Sequence, residues 1–262
     1  MRYALARYVS PVSACPAASR AQFRAQIWFL ACRSVQAGPT SPVGLSRTTP
    51  HHGELQPRRQ PQGTVRPGIL LGLPLAFPHP ALAAEGIVLR RPVPGDVPWI
   101  VATCSDRELS RYIPGIPYPY SQSDARAFIE DAGRAWTGGS GAAFVIAHAA
   151  GGDGLGTIGL HLFADDAGLA AVGYWLRREA RGHGAATIAV RLVSGWAFDE
   201  LGIRRLNLIT APENLASQRV AERAGFSREG ILRAWMPTRD GRRDSVMFSL
   251  LPGDKNPQPS DP

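Results

Sequence analysis

The chain has few of the residues on which several common chemistries depend. Its 262 residues hold three cysteines, Cys15, Cys32 and Cys104, an odd number without Cys-x2-Cys spacing. Neither a disulfide framework nor a zinc site is supported by that set. Cys104 lies in an apolar helical stretch and reads as a core residue rather than a nucleophile. No His-x3-His or Gly-x-Ser-x-Gly occurs, so no metal is expected and a serine-hydrolase elbow is excluded. No apolar run approaches the ~20 residues of a membrane-spanning helix. A cytoplasmic protein without a membrane partner is expected.

Acidic residues are scarce in one region only. Residues 1–84 carry nine Arg, no Lys and a single acid, Glu54, whereas residues 85–262 are balanced. The whole net charge of +8 therefore sits in the N-terminal third. Nucleic-acid binding would have to rest on that extension alone, which makes it the weakest functional class. The extension also holds 11 of the 23 prolines and lacks periodicity, so it reads as largely disordered. Its acid-free start has the composition of a transit peptide, and Gly68–Ala84 resembles a signal core, though Pro74, Pro78 and Pro80 break it. Disorder, or a translation start near residue 85, outranks targeting. The expected division is an extension over 1–84, one domain over 85–252 and a disordered tail over 253–262.

What is present from residue 86 onward is an ordered succession of elements. Ile87–Arg91 reads as a strand. Asp96 can cap a short helix to about Thr103. A Pro- and Tyr-rich loop spans Arg111–Tyr120, and Ser121 with Asp124 has capping-box spacing that opens a helix to about Trp136. Three strands follow, Ala142–His148, Gly156–Phe163 and Gly168–Arg177. Ala185–Leu201 then has helical spacing, with Ile188, Leu192, Val193, Trp196 and Ala197 on one face and Phe198 off it. A strand (Arg205–Ala211), a short helix (Asn214–Ala224) and a final antiparallel pair (Phe226–Arg233, Arg243–Leu250) complete the order β-α-α-β-β-β-α-β-α-β-β. This is an α+β layer structure able to bury one core.

The chemistry concentrates at Arg181-Gly182-His183-Gly184-Ala185-Ala186, between a strand and the long helix. The first N–H groups of a helix have no internal partner and the dipole adds positive charge, so such a turn attracts anions. Gly182 and Gly184 let backbone approach a diphosphate, and Arg181 adds charge. A dinucleotide-binding fingerprint is incomplete here: Thr187 stands at the third glycine, and the next strand ends in Thr210-Ala211 without a ribose-binding acid.

After that strand comes Pro212-Glu213-Asn214-Leu215-Ala216-Ser217-Gln218-Arg219-Val220-Ala221-Glu222-Arg223-Ala224-Gly225-Phe226. The two segments together resemble motifs A and B of the GNAT acetyltransferase superfamily, closest to its RimJ/RimL-like ribosomal-protein branch. Gly86–Arg91, Gly173-Tyr174-Trp175-Leu176 and Glu229–Arg233 extend the match over nearly all of 86–252. The resemblance implies a mixed, mainly antiparallel sheet flanked by helices. It also implies acetyl-CoA as co-substrate and direct attack by an amine in a ternary complex. Trp175, Leu176 and Arg177 would run along the pantetheine arm, with a backbone N–H at about 175–177 polarising the thioester carbonyl. Arg181, Gly182, His183, Gly184 and Ala185 would hold the pyrophosphate, and Asn214 would contact the cofactor. Ser217 would stand near the thioester sulfur to protonate the departing thiolate.

The general base is less determined. Many relatives carry a Glu two residues before Gly-Tyr-Trp, and here that residue is Ala171. His161, on the neighbouring strand, is the candidate, since imidazole titrates near ~6.5; a solvent-facing strand residue is the competing reading. Tyr112, Tyr118 and Tyr120 offer walls for an acceptor, either a small-molecule amine or a protein N-terminus. A non-catalytic acyl-CoA-binding or regulatory module is the alternative function, motivated by Ala171. Monomer and homodimer both remain open.

Overall fold

Alternating apolar residues between Ala83 and Leu250 build one eight-stranded sheet in a computed structural model that describes residues 72–113, 116–238 and 241–255. The extension over 1–71, the Pro114-Gly115 step of the tyrosine loop and the 256–262 part of the tail lie outside the described residues. The strands are β1 (Ala83–Ala84), β2 (Ile87–Arg90), β3 (Gly141–His148), β4 (Gly154–Phe163), β5 (Asp166–Leu176), β6 (Arg205–Thr210), β7 (Ser227–Thr238) and β8 (Gly241–Leu250). The helices are α1 (Val97–Cys104), α2 (Arg107–Tyr112), α3 (Gln122–Thr137), α4 (Ala185–Asp199) and α5 (Leu215–Arg223). The order across the sheet is β1-β2-β3-β4-β5-β6-β8-β7, antiparallel throughout except for β5 beside β6. The expected α+β fold is present.

The two faces of the sheet bury different helices. Phe144, Ile158 and Val172 point to the face covered by α4, where they pack with Val190, Val193 and Trp196. The opposite face carries Trp175, which packs with Val97, Ile100 and Cys104 of α1, Leu109 of α2 and Ala125 of α3. The period-two alternation of β5 thus sends Trp175 and Tyr174 to opposite sides.

Parallel pairing of β5 with β6 covers only Leu169–Arg205, Ala170–Leu206 and Ala171–Asn207. Both strands continue past it, β5 to Leu176 and β6 to Thr210. The pair therefore splays into a gap with unshared backbone on each side.

Four local features depart from the sequence reading. A further helix, α2, stands between the first helix and the segment read as loop and takes in its first two residues, Arg111 and Tyr112; Asp106 caps it, its Oδ1 accepting from Glu108 N at 2.9 Å. Asp96 precedes α1 but does not cap it. Its buried carboxylate accepts instead from Arg90 Nη1 and Nη2 (2.9 and 2.7 Å), Val93 N (2.8 Å) and Trp99 Nε1 (2.8 Å), joining β2 to α1. Burial pushes that carboxyl up, but the hydrogen bonds and the charge of Arg90 outweigh it and hold the group below the usual carboxylate range. In α4, Phe198 is buried and Ile188 and Leu192 are only partly so, because Ala189 and Val190 face the sheet. The helix is buried nearly all round, which blurs a single-face pattern. By contrast, the capping box of α3 is as read, with Ser121 N donating to Asp124 Oδ2 (2.9 Å) and Asp124 N to Ser121 Oγ (3.2 Å).

The fourth departure moves the domain boundary. Residues 72–84, read as part of the extension, form a strap on the core. Leu75 N donates to Trp136 O (2.9 Å), and Phe77 packs 5.5 Å from Trp136 and 5.7 Å from Phe144. Arg91 lies 4.9 Å over the Trp136 ring and 5.2 Å over Phe77. An extended strap needs anchors rather than periodicity, so its prolines disguised it.

Candidate active site

A strand that pairs through all its backbone groups has nothing to offer a ligand; the splay at β5 leaves some free to do so. Arg177 N donates to Leu155 O at 2.9 Å, which sets the alternation along β5. Odd-numbered N–H groups turn to β4, and those of Tyr174 and Leu176 turn to the gap. Of the N–H groups at 175–177, where one polarising a carbonyl was expected, that of Leu176 faces the gap. The side chains of Trp175 and Leu176 are buried, the former 5.7 Å from Trp99, and of their two N–H groups only that of Leu176 faces the gap. Arg177 turns away, its Nη1 on Gly154 O (3.2 Å) and its Nε near Glu179 (3.3 Å).

The Gly turn follows. Gly182 (φ +84°) and Gly184 (φ +85°) are left-handed, a conformation that costs other residues about 1 kcal/mol or more. Gly184 is the N-cap of α4, and the N–H groups of Ala185 and the next residues open the helix there. Gly182, His183 and Gly184 are exposed and Ala185 is buried, so an anion can reach the backbone from solvent. Arg181 is less free than its position suggests. Its Nε donates to Leu176 O (3.3 Å), Nη1 to Glu108 Oε2 (3.0 Å), and Nη2 lies 3.7 Å from Asp106 Oδ2. These pairs are partly exposed, worth ~0–1 kcal/mol each, and a diphosphate can outcompete them.

Beneath the splay lies a cavity of about 290 Å³ that passes through the sheet plane. Asn214 and Ser217 line it on the α5 side. Asn214 is the N-cap of α5, its Oδ1 accepting from Ser217 N (3.1 Å). Tyr174 donates its hydroxyl to Ser217 Oγ at 3.2 Å. Burial pushes the Tyr174 phenol up to about 12, and the Ser217 hydrogen bond lowers it only in part, so the hydroxyl stays protonated across the physiological range. Tyr174 was not among the residues singled out from the sequence; strand alternation alone could have placed it opposite Trp175.

His161 and Ala171 are direct partners in the β4–β5 ladder, and both line the cavity on the helix-covered side of Trp175. The imidazole thus stands beside Ala171, with Phe163 edge-on at 5.1 Å. Tyr112 and Tyr120 line the same space. Tyr118 does not: it is 41 % exposed, its hydroxyl accepts from Arg107 Nε (2.9 Å), and the guanidinium stacks 5.1 Å above its ring. Cys104 also reaches the cavity wall, but burial pushes its thiol up to about 12, against a lowering hydrogen bond with Tyr120, which removes it as a nucleophile. Among the described residues no three potential metal ligands cluster, and no helix is long and apolar enough to cross a membrane.

Comparison with known proteins identifies this architecture. Residues 87–227 match the model of the acetyltransferase (GNAT) domain. The uncharacterized N-acetyltransferase YoaA of Bacillus subtilis (strain 168) is 27% identical over 172 residues, covering 66% of this chain and 97% of that protein. Mycobacterium smegmatis RimJ, solved with a CoA-disulfide, is alike in fold, with a TM-score of 0.59 at 21% identity over 66% of this chain and 84% of RimJ. So is RimL, a ribosomal L7/L12 alpha-N-protein acetyltransferase solved with coenzyme A, with a TM-score of 0.60 at 19% identity over 67% of this chain and 99% of RimL. The family match spans the splayed strand pair, the Gly turn and α5 alike, and the chain belongs to the GNAT family of acetyl-CoA-dependent N-acetyltransferases.

Proposed function

We propose that the chain moves the acetyl group of acetyl-CoA to a primary amine by direct attack, with a protein N-terminal α-amine as the favoured acceptor. The observation that carries this reading is the gap between β5 and β6, which opens onto a cavity with His161 on one side and Ser217 on the other. The residues fit the co-substrate: the left-handed glycines and the α4 N-terminus offer backbone donors for a diphosphate, and the unshared edge of β5 offers them for an amide-bearing arm. When bound, acetyl-CoA supplies an acetyl group activated as a thioester.

The chain's own residues supply positioning and proton transfer. The N–H of Leu176 or Tyr174 polarises the carbonyl where negative charge develops. His161 Nδ1 or Nε2 takes a proton from the acceptor ammonium, directly or through water, so that the neutral amine attacks, in the place left open by Ala171. Ser217 Oγ accepts from Tyr174, so its own proton is held for the leaving thiolate. Asn214 fixes the first turn of α5 and with it Ser217. The α-amine preference draws support from RimL, whose fold this chain shares and whose acceptor is a ribosomal protein's α-amine.

The test is thiol release from acetyl-CoA with a panel of free-N-terminus peptides and small amines. Release is expected, with Ser217→Ala lowering turnover more than acetyl-CoA affinity. Acetyl-CoA binding without release across the panel would favour the acyl-CoA-binding module instead.

A further inference from the structure

Strand register fixes what lies beside His161 on the face of the sheet that α1, α2 and α3 cover. Side chains on that face form rungs across β3, β4 and β5. One rung is Val145, Thr157 and Trp175, and the next but one is Gly141, His161 and Ala171. Between them stand Ala143, Gly159 and Gly173, paired directly with one another, so no side chain on the middle rung exceeds a methyl. A trough therefore crosses three strands, about 10 Å from β5 to β3 at ~4.8 Å per strand. Trp175 forms one bank and the imidazole of His161 stands on the other. The β5 end opens to the gap before β6. The β3 end is tied to α3 by Trp136 Nε1, which donates to Ala143 O (3.2 Å).

The middle rung lines the 290 Å³ cavity, together with Ile116 and with Phe128, Ala132 and Ala135 of α3. Charged and thiol groups of the same wall are engaged within the chain. Asp124 closes the capping box of α3, Asp131 bonds to Arg134, and Cys104 shares a hydrogen bond with Tyr120. Arg243 donates to Arg111 O (2.9 Å) and Tyr112 O (3.0 Å). What the trough offers a ligand is thus mainly apolar surface and length. We propose that it holds an apolar substituent of the acceptor, an aromatic or long aliphatic group next to the amine. The co-substrate reaches the cavity through the gap, so the trough beyond β5 falls to the acceptor. An amine at the gap, within reach of His161, sends such a group along Gly173, Gly159 and Ala143. A side chain the size of alanine or serine leaves most of that length unfilled. A carboxylate or a second ammonium would lose its water there without a partner. The inference rests on the acetyl-transfer reading and adds the shape of its acceptor, for a free amine and for the first residue of a peptide alike.

The experiment gives the full chain acceptors that share a headgroup and differ in the substituent. They are alaninamide, serinamide, leucinamide and phenylalaninamide; ethylamine and 2-phenylethylamine; and tripeptides beginning with Ala, Ser, Leu or Phe. Thiol release gives kcat/KM for each, and calorimetry gives acetyl-CoA affinity. Phenylalaninamide is expected to exceed alaninamide about thirtyfold, from the added apolar area buried. Ala143→Leu fills the far end of the trough and should collapse that ratio through the KM of the larger acceptors, with acetyl-CoA affinity held within about twofold. Ala135→Leu narrows the trough from α3 and carries the test if the first variant melts early. If 2-phenylethylamine outpaces the Phe peptide, the source is a free amine, and the reverse identifies a protein N-terminus; both uphold the inference. Alanine or serine acceptors matching the larger ones overturn it and leave the transfer reading standing. So does a ratio that survives both variants, or an equal loss on every acceptor, which marks damage to the fold rather than a filled subsite. No release from any amine, with acetyl-CoA still bound, overturns the transfer reading and this inference with it.

Discussion

The cofactor flank and the acceptor flank of the sheet are built in different ways. Between β5 and α5 the groups offered to a ligand are mostly backbone: the unshared edge of β5, the left-handed turn at Gly182 and Gly184, and the start of α4. Across the sheet, under α1–α3, they are side chains brought from far apart in the chain: His161, Tyr112, Tyr120 and Arg243. A backbone site tolerates almost any side chain provided the chain path is kept. A side-chain site can change character by one substitution, because each group it offers comes from a single residue.

That contrast can be broken most forcefully at the turn. Gly182→Asp should weaken acetyl-CoA binding about a thousandfold, because a carboxylate would face the diphosphate at several kcal/mol. Gly182→Ala is the control. Nothing lies within 4 Å of its added Cβ, so it costs only the strain of φ +84°, about 1 kcal/mol. Calorimetric titration separates the two, and equal losses would mean that chain path, not charge, governs the site.

Asp96→Asn tests the scaffold of the acceptor flank, since it leaves Arg90 unbalanced beside a buried position. We expect a loss of about 3 kcal/mol in denaturant unfolding at pH 7. The folded-state pKa of Asp96 is depressed, so its contribution is fully present above the unfolded value of ~3.9 and is lost as pH falls through the folded one. The gap between wild type and variant should therefore close in acid; a constant gap would assign the effect to packing.

At His161, substitution by Gln should lower kcat about a hundredfold, leave acetyl-CoA affinity unchanged and flatten the acid limb of the pH–rate profile. Retention of that limb would move the base elsewhere. The smallest effect is expected at the link between the flanks. Glu108→Gln removes one carboxylate from Arg181 and should tighten acetyl-CoA binding about twofold at low salt, fading as salt rises. Weaker binding would show that the Glu108 contact shapes the turn rather than competing with the cofactor.

Legibility followed the same division. Local rules were enough for the capping box at Ser121 and Asp124, for the meander of β3, β4 and β5, and for the strand–turn–helix around Gly182, since each is encoded within a few neighbouring residues. They misread Asp96, because a short acid before a helix looks like a cap until a distant Arg90 claims it. The strap at Leu75 and Phe77 was hidden by prolines, and α2 by the loop-like Pro and Tyr content that follows it. Tyr118 looked equivalent to Tyr112 and Tyr120 in composition, yet Arg107 holds it outside the cavity.

The family, most of the elements and the strand–turn–helix around Gly182 were thus legible in the sequence alone, because hydrophobic period, capping and glycine conformation act over a few residues. Only the tertiary structure decided that β5 and β6 part after Ala171, that Tyr174 meets Ser217 and that His161 stands against Ala171. It also decided that Arg243 closes the cavity wall. Each of these joins residues that are distant in the chain or set by strand register, and register is a property of the packed sheet rather than of any one segment.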